Sequence, residues 1–222
     1  MPYKLFGLSI SPFVRKVLVT LAEKGLECEV DPVNPFSPPD DYRDISPLGK
    51  IPALQDGDKT LADSSVICTY LERRHPTPSL YPSDDYDYAR TLWLEEFMDG
   101  GFVPKAGPGV FFPLVAAPIM MDQPVTPEIR AQAEKCVHEE LEPMWDYLEQ
   151  ELANQEFFVA DTLSIADITV ASIHVNLYHA GVDIDPERWP GLAAFVERMH
   201  ARPSFKAIID EEMSVWNKRD AA

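Results

Sequence analysis

The segment Leu48–Ser65, LGKIPALQDGDKTLADSS, decides how the N-terminal part of this chain is organised. Two short apolar runs flank the turn Asp56-Gly57-Asp58, a pattern typical of a β-hairpin. Pro52 stands at the mouth of the first run, where a proline is tolerated because it has no N–H to donate to a strand ladder. Asp63-Ser64 follows the second run and is typical of a helix start. The segment therefore predicts a hairpin that leads directly into a helix.

Both ends of this hairpin offer groups that can bind a small, peptide-like anion. We expect a cis bond between Ile51 and Pro52, which turns the Ile51 N–H and C=O outward, towards the peptide group of a ligand. At the helix start, Asp63 and Ser64 offer a carboxylate, a hydroxyl and exposed N–H groups. This set suits the α-amino and α-carboxylate groups of an amino acid.

The motif Ser46–Leu54, SPLGKIPAL, followed by Ala62–Ser65, ADSS, resembles the glutathione site of the cytosolic glutathione transferases. The resemblance implies a fold class of two parts, an α/β thioredoxin-like N-terminal domain and an all-α C-terminal domain. It places the first domain at residues 1–78 and the second at residues 86–222. It also implies glutathione as co-substrate and a homodimer. The resemblance extends over nearly the whole chain.

The same resemblance implies which residues bind glutathione. Lys50 is expected to pair with the glycine carboxylate, as a basic residue in the matching loop does in relatives. The loop Ser37–Tyr42 departs from the family pattern, because it is acidic where many relatives offer basic contacts. The implied glutathione-binding residues are Lys50, Ile51, Pro52, Asp63 and Ser64.

The chain around the hairpin supplies the other elements of a thioredoxin-like domain. Tyr3–Leu8 reads as a strand, and Ser11-Pro12 begins a helix whose apolar residues recur at helical spacing. Leu26–Val33 reads as a second strand, and Asn34–Asp44 holds at most a short helix. With the hairpin and a helix over Ser64–Arg74, the order is strand, helix, strand, short helix, strand, strand, helix.

Everything after residue 85 is helical in pattern, with one interruption. Tyr86–Asp99 predicts a helix, whereas Gly100–Pro127 contains six prolines and predicts an irregular stretch. A long helix is expected from Pro127 to about Asn154. Ser164–Asp167 has the form of a capping box, with Asp167 satisfying a buried N–H at a helix start. Two further helices begin at Pro190 and Pro203.

The expected chemistry is the conversion of a thiol into a thiolate. An ordinary thiol has a pKa near 8.5, so the site must favour the anion with a hydrogen-bond donor or a helix N-terminus. Ser11 lies where the first strand meets its helix, and Ser11–Val17, SPFVRKV, is similar to the serine-type classes (tau, phi, zeta, theta-like or a bacterial relative). The resemblance makes Ser11 the catalytic residue, which donates its hydroxyl hydrogen to the thiolate.

Several alternatives stay open at this junction. Ser9 lies in the same loop and competes with Ser11, while Tyr3 lies at the far end of the strand. No cysteine occupies the junction, which argues against the glutaredoxin-like and omega-type members. Arg15 and Lys16 add positive charge near the helix start or are simply paired on the surface.

Composition limits the partners of the chain. Against 19 Lys and Arg stand 37 Asp and Glu, a formal net charge of −18, which disfavours nucleic acid and anionic membranes. The three cysteines are scattered without metal-like spacing, so we expect no metal. We find no apolar signal region and no apolar stretch near 18 residues, and therefore expect a cytoplasmic protein without a membrane partner.

These observations favour a glutathione transferase that acts on a hydrophobic electrophile. The co-substrate pocket is expected between the hairpin and the stretch Gly100–Gln123, whose apolar residues suit an adaptable wall. The alternatives are another glutathione-dependent activity (dehalogenation, ether cleavage or isomerisation) or a non-catalytic binding protein. The isomerase-like zeta class is disfavoured because its Ser-Ser-Cys motif is absent. The expected wall residues are Phe111, Phe112, Met120 and Met121.

Overall fold

The structure, a computed structural model, describes residues 2–153 and 155–220, the side chains of 215–220 excepted. Its described part divides into two compact units. One unit contains the chain up to Tyr81 together with the residues from His200 onwards, and the other is Pro82–Met199. The last helix thus groups with the N-terminal unit, and the domain limits 1–78 and 86–222 stay a prediction.

The first unit is built on a small mixed sheet of four strands in the order β2-β1-β3-β4. β1 is parallel to β2, and the hairpin strands β3 and β4 are antiparallel to their neighbours. This agrees with the predicted order of elements, although β1 and β2 are shorter than expected. The strands are β1 Tyr3–Phe6, β2 Cys28–Asp31, β3 Ala53–Asp56 and β4 Lys59–Ala62.

Four helices accompany this sheet: α1 Pro12–Glu23, α2 Tyr42–Ile45, α3 Ser64–Arg74 and α8 Pro203–Asp220. α1 begins with a proline in its first turn, as the sequence predicts. Its buried face carries Val14 and Val17, which are fully buried, and Ile67 and Leu71 of α3 are buried to the same degree. These side chains form the apolar part of the core of the unit.

The second unit is entirely helical in the described residues: α4 Asp85–Met121, α5 over 127–152, α6 Ile165–His179 and α7 Pro190–His200. Thirteen consecutive residues of α6, from Ile165 to Leu177, are buried, so this helix forms the centre of the unit. The expected end of α5 near Asn154 lies outside the described residues. Together the two units confirm the predicted fold class.

The prediction of an irregular stretch over 100–127 is wrong, because α4 continues to Met121. The helix continues through its prolines because it contains two π-helical segments, Phe97–Phe102 and Gly107–Ala116. A carbonyl four residues before a proline has no N–H to accept from, so it can bond to the N–H five residues on, which widens the turn. Of residues 100–127, only 122–126, between α4 and α5, lack helical structure.

The length of α4 also corrects a second expectation. By length and composition alone this one helix could cross a membrane, since its most apolar 18-residue window has a mean hydropathy of 1.3. One third of that window (33%) is buried in the protein. An apolar stretch of this length was not predicted, because the helix was expected to end near Gly100.

Asp167 caps α6 as the sequence predicts, and it does so from a fully buried position. Its Oδ2 accepts hydrogen bonds from Ser164 N (2.8 Å) and Ser164 Oγ (2.8 Å), and its Oδ1 accepts one from Phe158 N (2.9 Å). Burial raises the pKa of the Asp167 carboxyl from 3.8 to about 6, and these hydrogen bonds offset only part of that rise.

This pKa predicts a pH-dependent contribution to stability. Because the folded-state pKa lies above the unfolded value, the folded state binds more protons between pH 4 and 6, and stability from this group falls as the pH rises through that window. We expect the free energy of unfolding of the wild type to drop on the order of 2–3 kcal/mol relative to Asp167→Asn between pH 4 and 7. Urea unfolding of both proteins measures this, and parallel stability curves would contradict it.

Candidate functional site

The strand register brings the ends of three strands to one edge of the sheet. Phe6 pairs with Ala53, which pairs in turn with Ala62. The next residue at this end of each strand is Gly7, directly after β1, Pro52, directly before β3, and Asp63, directly after β4. These three residues therefore lie side by side at the same edge.

The loop before β3 packs directly on the end of β1. The bond between Ile51 and Pro52 is cis, as predicted. A Cβ placed on Gly7 would lie 3.3 Å from the Ile51 Cβ and 2.6 Å from Val14 Cγ2. The absence of a side chain at Gly7 is thus what allows Ile51 and the first turn of α1 to approach the same point.

α1 and α3 run parallel, so their N-termini lie at the same end. Three side-chain contacts join the two helices in the same order along both: Lys16 with Ser65 at 3.2 Å, Thr20 with Cys68 at 3.4 Å, and Lys24 with Glu72 at 2.7 Å. α1 starts after Gly7 and α3 starts at Asp63, which places both N-termini beside the sheet edge described above. The N-terminal end of a helix dipole is positive, so two helix N-termini side by side favour a bound anion.

Ser11 occupies the N-cap position of α1, and its side chain makes no capping hydrogen bond. The residue is half-buried, and its backbone C=O accepts from Arg15 N at 2.9 Å. Ser9 is also half-buried and lies in the turn closed by the bond from Ser11 N to Leu8 O at 3.0 Å. The structure thus places both candidate hydroxyls in one turn at the start of α1.

Tyr3 and the cysteines of the first unit are engaged away from this turn. The Tyr3 hydroxyl contacts His75 Nε2 at 2.8 Å, beyond the C-terminal end of α3 and opposite to its N-terminus. Cys68 is buried against Thr20 inside the helix pair. Cys28 lies on β2, where burial raises the pKa of its thiol to about 11. No cysteine therefore replaces a serine at the start of α1.

Asp63 uses its carboxylate to cap α3. Its Oδ1 accepts hydrogen bonds from Ser65 N (2.9 Å) and Val66 N (3.3 Å), and its backbone has a positive φ of 81°. Non-glycine residues rarely adopt such a backbone, and they concentrate at sites where the surrounding structure holds them. Ser64 follows at the first helical position and is buried. The capping role of the Asp63 carboxylate was not part of the sequence analysis.

Lys50 has a fixed backbone and an exposed side chain. Its carbonyl accepts hydrogen bonds from Ser46 Oγ at 2.7 Å and Tyr42 Oη at 3.1 Å. A second cation, not predicted from the sequence, lies nearby: Arg43 on α2 packs against Gly49, with its Cζ 3.5 Å from the position of a Cβ on that glycine. A basic residue in this segment could have been noted from the sequence, but the segment was described as acidic because of the Asp residues next to Arg43.

Arg15 and Lys16 are not surface residues, which corrects one of the two expectations for them. Arg15 is fully buried, and its Nη2 donates to both carboxylate oxygens of Glu212 on α8, at 3.0 and 2.9 Å. Lys16 is 1% exposed and donates from Nζ to Ser65 Oγ on α3. Both cations therefore lie inside the first unit.

The expected wall residues all belong to α4 in the second unit. Phe111, Phe112 and Met120 are half-buried, and Met121 is exposed. Among the residues that the structure describes, no three His, Cys, Asp or Glu side chains group as ligands for a metal ion.

Known proteins resemble this chain over nearly its full length. Residues 5–79 match the model for the glutathione S-transferase N-terminal domain, and residues 102–203 match the model for the C-terminal domain. Glutathione S-transferase 3 of Zea mays is 30% identical, with 94% of this chain and 93% of that protein covered.

Two solved structures extend the comparison. A glutathione S-transferase from Rhodospirillum rubrum F11 is 25% identical, with a TM-score of 0.82 over 93% of this chain and 91% of that one. The β-etherase LigF from Sphingobium sp. strain SYK-6 is 27% identical, with a TM-score of 0.76 over 95% of this chain and 100% of that one. On these grounds the chain belongs to the glutathione transferase family, whose members use glutathione as co-substrate.

Proposed function

We propose that this protein activates the thiol of glutathione and transfers its sulfur to a hydrophobic electrophile. The observation that carries the proposal is the convergence of two parallel helix N-termini with the strand ends at one sheet edge. A hydroxyl that is not used for capping, that of Ser11, lies at this edge. Such a place favours an anion and offers it a hydrogen-bond donor.

The proposed glutathione contacts follow the edge of the sheet. The Ile51 backbone pairs with the peptide group of the cysteinyl residue, and Pro52 holds that loop at the mouth of β3. The start of α3, at Asp63 and Ser64, takes the α-amino and α-carboxylate groups of the γ-glutamyl residue. Lys50 pairs with the glycine carboxylate.

In the proposed reaction Ser11 donates its hydroxyl hydrogen to the glutathione sulfur and lowers the pKa of that thiol. The thiol proton passes to solvent, and the thiolate attacks an electrophilic carbon. A C–S bond forms while a leaving group departs with its electron pair. In an addition, the C–S bond forms while the π bond of a polarised double bond opens, and the resulting carbanion takes a proton from solvent. Ser11 stabilises the anion and forms no covalent bond.

The electrophile is proposed to bind against apolar and flexible side chains, which suit such ligands. The residues that supply these side chains are Phe111, Phe112, Met120 and Met121.

We propose a homodimer that acts in the cytoplasm in detoxification. The net charge of −18 supports a protein that binds neither nucleic acid nor an anionic membrane surface.

A second candidate is cleavage of an aryl ether by the same thiolate. It is favoured by the likeness to the β-etherase LigF, at 27% identity over 95% of this chain. The thiolate then displaces an aryloxide from a saturated carbon, in place of a halide. Turnover of a β-aryl ether faster than that of a chlorinated aromatic compound would favour this candidate.

Ser11→Ala tests the catalytic assignment. We expect the variant to be retained on immobilised glutathione like the wild type, but to conjugate a chlorinated aromatic compound about 100-fold more slowly at pH 6.5. The pH midpoint of kcat/KM should rise, because the thiol loses a hydrogen bond that favours its ionised form.

Ser9→Ala is the matched control, because it removes a hydroxyl from the same turn. It should leave both the rate and the pH midpoint close to those of the wild type. If Ser9→Ala shifts the midpoint and Ser11→Ala does not, the roles are reversed. If the wild type is neither retained nor active, the proposed function is wrong.

A further inference from the structure

We propose that Tyr42 and Ser46 are positioning residues for glutathione: by holding one carbonyl of the loop before β3, they aim the Ile51 N–H at the cysteinyl residue of the tripeptide. The inference rests on the proposed function, which uses the Ile51 backbone as a glutathione contact. The evidence comes from the burial of the two side chains, from the acceptor that they share and from the peptide group that contains this acceptor.

Two buried hydroxyls share the Lys50 carbonyl as their acceptor. Ser46 Oγ donates to it at 2.7 Å and Tyr42 Oη at 3.1 Å, and these two residues are 1% and 2% exposed. A carbonyl oxygen has two lone pairs, so two donors occupy both of its acceptor positions. The Lys50 C=O is therefore held in one direction, towards α2 and the serine that follows it.

Holding this carbonyl fixes the N–H of the next residue, because both groups belong to one planar peptide unit. The bond between Lys50 and Ile51 is trans, so the C=O and the N–H of this unit point in opposite directions. Since the C=O points towards Tyr42 and Ser46, the Ile51 N–H points away from them. It can change direction only if the C=O leaves its two donors.

The Ile51 N–H is a donor that the folded chain does not use. Ile51 is half-buried, and in the described part of the chain its N–H donates to no backbone or side-chain acceptor. Backbone N–H groups away from water are nearly always paired, because an unpaired one costs free energy. An N–H that is held in one direction without an acceptor in the chain suits the carbonyl of a bound peptide.

The two donors are themselves fixed in the core of the first unit. The Tyr42 ring lies in an apolar cluster with Phe6, Val33 and Ala53, and its centroid is 6.3 Å from that of the Phe6 ring. The Ser46 N–H donates to Tyr42 O at 2.8 Å, which ties the second donor to the first. Both hydroxyls therefore have fixed positions from which to hold the loop before β3.

Three variants test whether the two hydroxyls act on one carbonyl. Tyr42→Phe and Ser46→Ala each remove one donor, and the double variant removes both while the aromatic ring stays in place. Each single variant keeps one donor on the carbonyl, so we expect the Kd of glutathione to rise about twofold. The double variant frees the carbonyl, and its Kd should rise about tenfold, more than the product of the single effects. Calorimetric titration measures all three.

The effect should fall on binding and not on the rate of the bound complex. The Ile51 hydrogen bond is made equally in the bound complex and in the transition state, so the KM for glutathione should rise while kcat at saturating glutathione stays within about twofold of the wild type. The pKa of the bound thiol, measured from the ultraviolet absorbance of its thiolate, should not change, because the Ser11 hydroxyl is untouched.

Two controls separate this role from a general effect on stability. Tyr70→Phe removes a tyrosine hydroxyl that donates to Asp56 in the same unit, and Val33→Ala removes packing from the apolar cluster around Tyr42. Both should bind glutathione as the wild type does. If Val33→Ala raises the Kd as much as the double variant does, weakened packing accounts for the effect and the inference is wrong.

A shorter ligand separates the Ile51 backbone from the Lys50 side chain. γ-Glutamylcysteine keeps the cysteinyl residue but lacks the glycine with which Lys50 is proposed to pair. The loss of affinity in the double variant should persist with this ligand. A loss that occurs only with glutathione would mean that the two hydroxyls act through Lys50, which overturns the inference.

The wild type separates this test from that of the proposed function. A wild type that binds no glutathione overturns both proposals. A wild type that binds and conjugates glutathione, together with a double variant of unchanged Kd, overturns only the role of Tyr42 and Ser46. Should the double variant not fold, two single variants that both bind glutathione as tightly as the wild type would overturn that role as well.

Discussion

Replacing Arg15 by methionine is expected to lower the free energy of unfolding by about 3–5 kcal/mol, because the substitution leaves Glu212 charged and buried. The two side chains are 0% and 3% exposed, and Arg15 Nη2 lies 2.9 Å from Glu212 Oε2. Burial lowers the pKa of the Arg15 guanidinium, and the Glu212 carboxylate opposes that shift. Breaking such a pair costs more free energy than forming it contributes, since the remaining charge stays buried and regains no water.

The double variant Arg15→Met/Glu212→Leu is the decisive control. Replacing both charges by apolar side chains also removes the buried carboxylate, so we expect most of the lost stability to return. Lys206→Met is the exposed counterpart, since Lys206 pairs with Asp210 at the surface of α8 at 2.8 Å. It should cost less than about 1 kcal/mol. Urea unfolding followed by circular dichroism measures all three.

The outcome bears on the site as well as on stability. Arg15 lies one turn after Ser11 on α1, and its ion pair holds α8 against that turn. A second ion pair, between Glu23 at the other end of α1 and Arg202 just before α8, has a separation of 2.8 Å and joins the same region of the chain to α1. If Arg15→Met costs less than about 1 kcal/mol, the buried pair is not what secures α8 to α1.

Local signals explain why the edge of the sheet could be predicted from the sequence. A proline at a strand mouth, a turn of Asp and Gly, and an Asp-Ser helix start each act within a few residues of themselves. The cis bond before Pro52, the hairpin and the start of α3 were therefore all predicted correctly. The same holds for Asp167, whose capping box is contained within four residues.

The features that were missed depend on distant partners. Glu212 lies 197 residues from Arg15, so no local pattern predicts that the arginine is buried. The burial of Lys16 depends on α3, 49 residues away. The prolines of α4 were interpreted as breaks, but wide turns absorb them because tertiary packing outweighs local propensity. Arg43 reaches the loop at Gly49 only once α2 has folded against it.

Replacing Gly7 by alanine is expected to disturb both stability and glutathione binding, because three parts of the proposed site meet at this residue. A Cβ there would lie 2.6 Å from Val14 Cγ2, closer than real atoms approach, and the backbone has a φ of 152°. Overpacking costs about 1–3 kcal/mol, and the unfavourable backbone about 1 kcal/mol more. We expect unfolding free energy to fall by about 2–4 kcal/mol.

Two further variants separate steric from backbone effects at Gly7. Gly57→Ala has a positive φ of 63° in open space, so it reports the backbone cost alone, about 1 kcal/mol. Gly7→Ala/Val14→Ala removes the clashing methyl groups and should recover part of the stability lost in Gly7→Ala.

Binding distinguishes a site residue from a purely structural one. In Gly7→Ala the new methyl group also lies 3.3 Å from the Ile51 Cβ, so it displaces the loop whose backbone is proposed to hold the cysteinyl residue. The KM for glutathione should therefore rise about tenfold, equivalent to about 1.4 kcal/mol, while Gly57→Ala leaves it unchanged. A Gly7→Ala protein that loses stability yet binds glutathione as the wild type does would show that Ile51 tolerates displacement, and hence that its backbone does not hold the tripeptide.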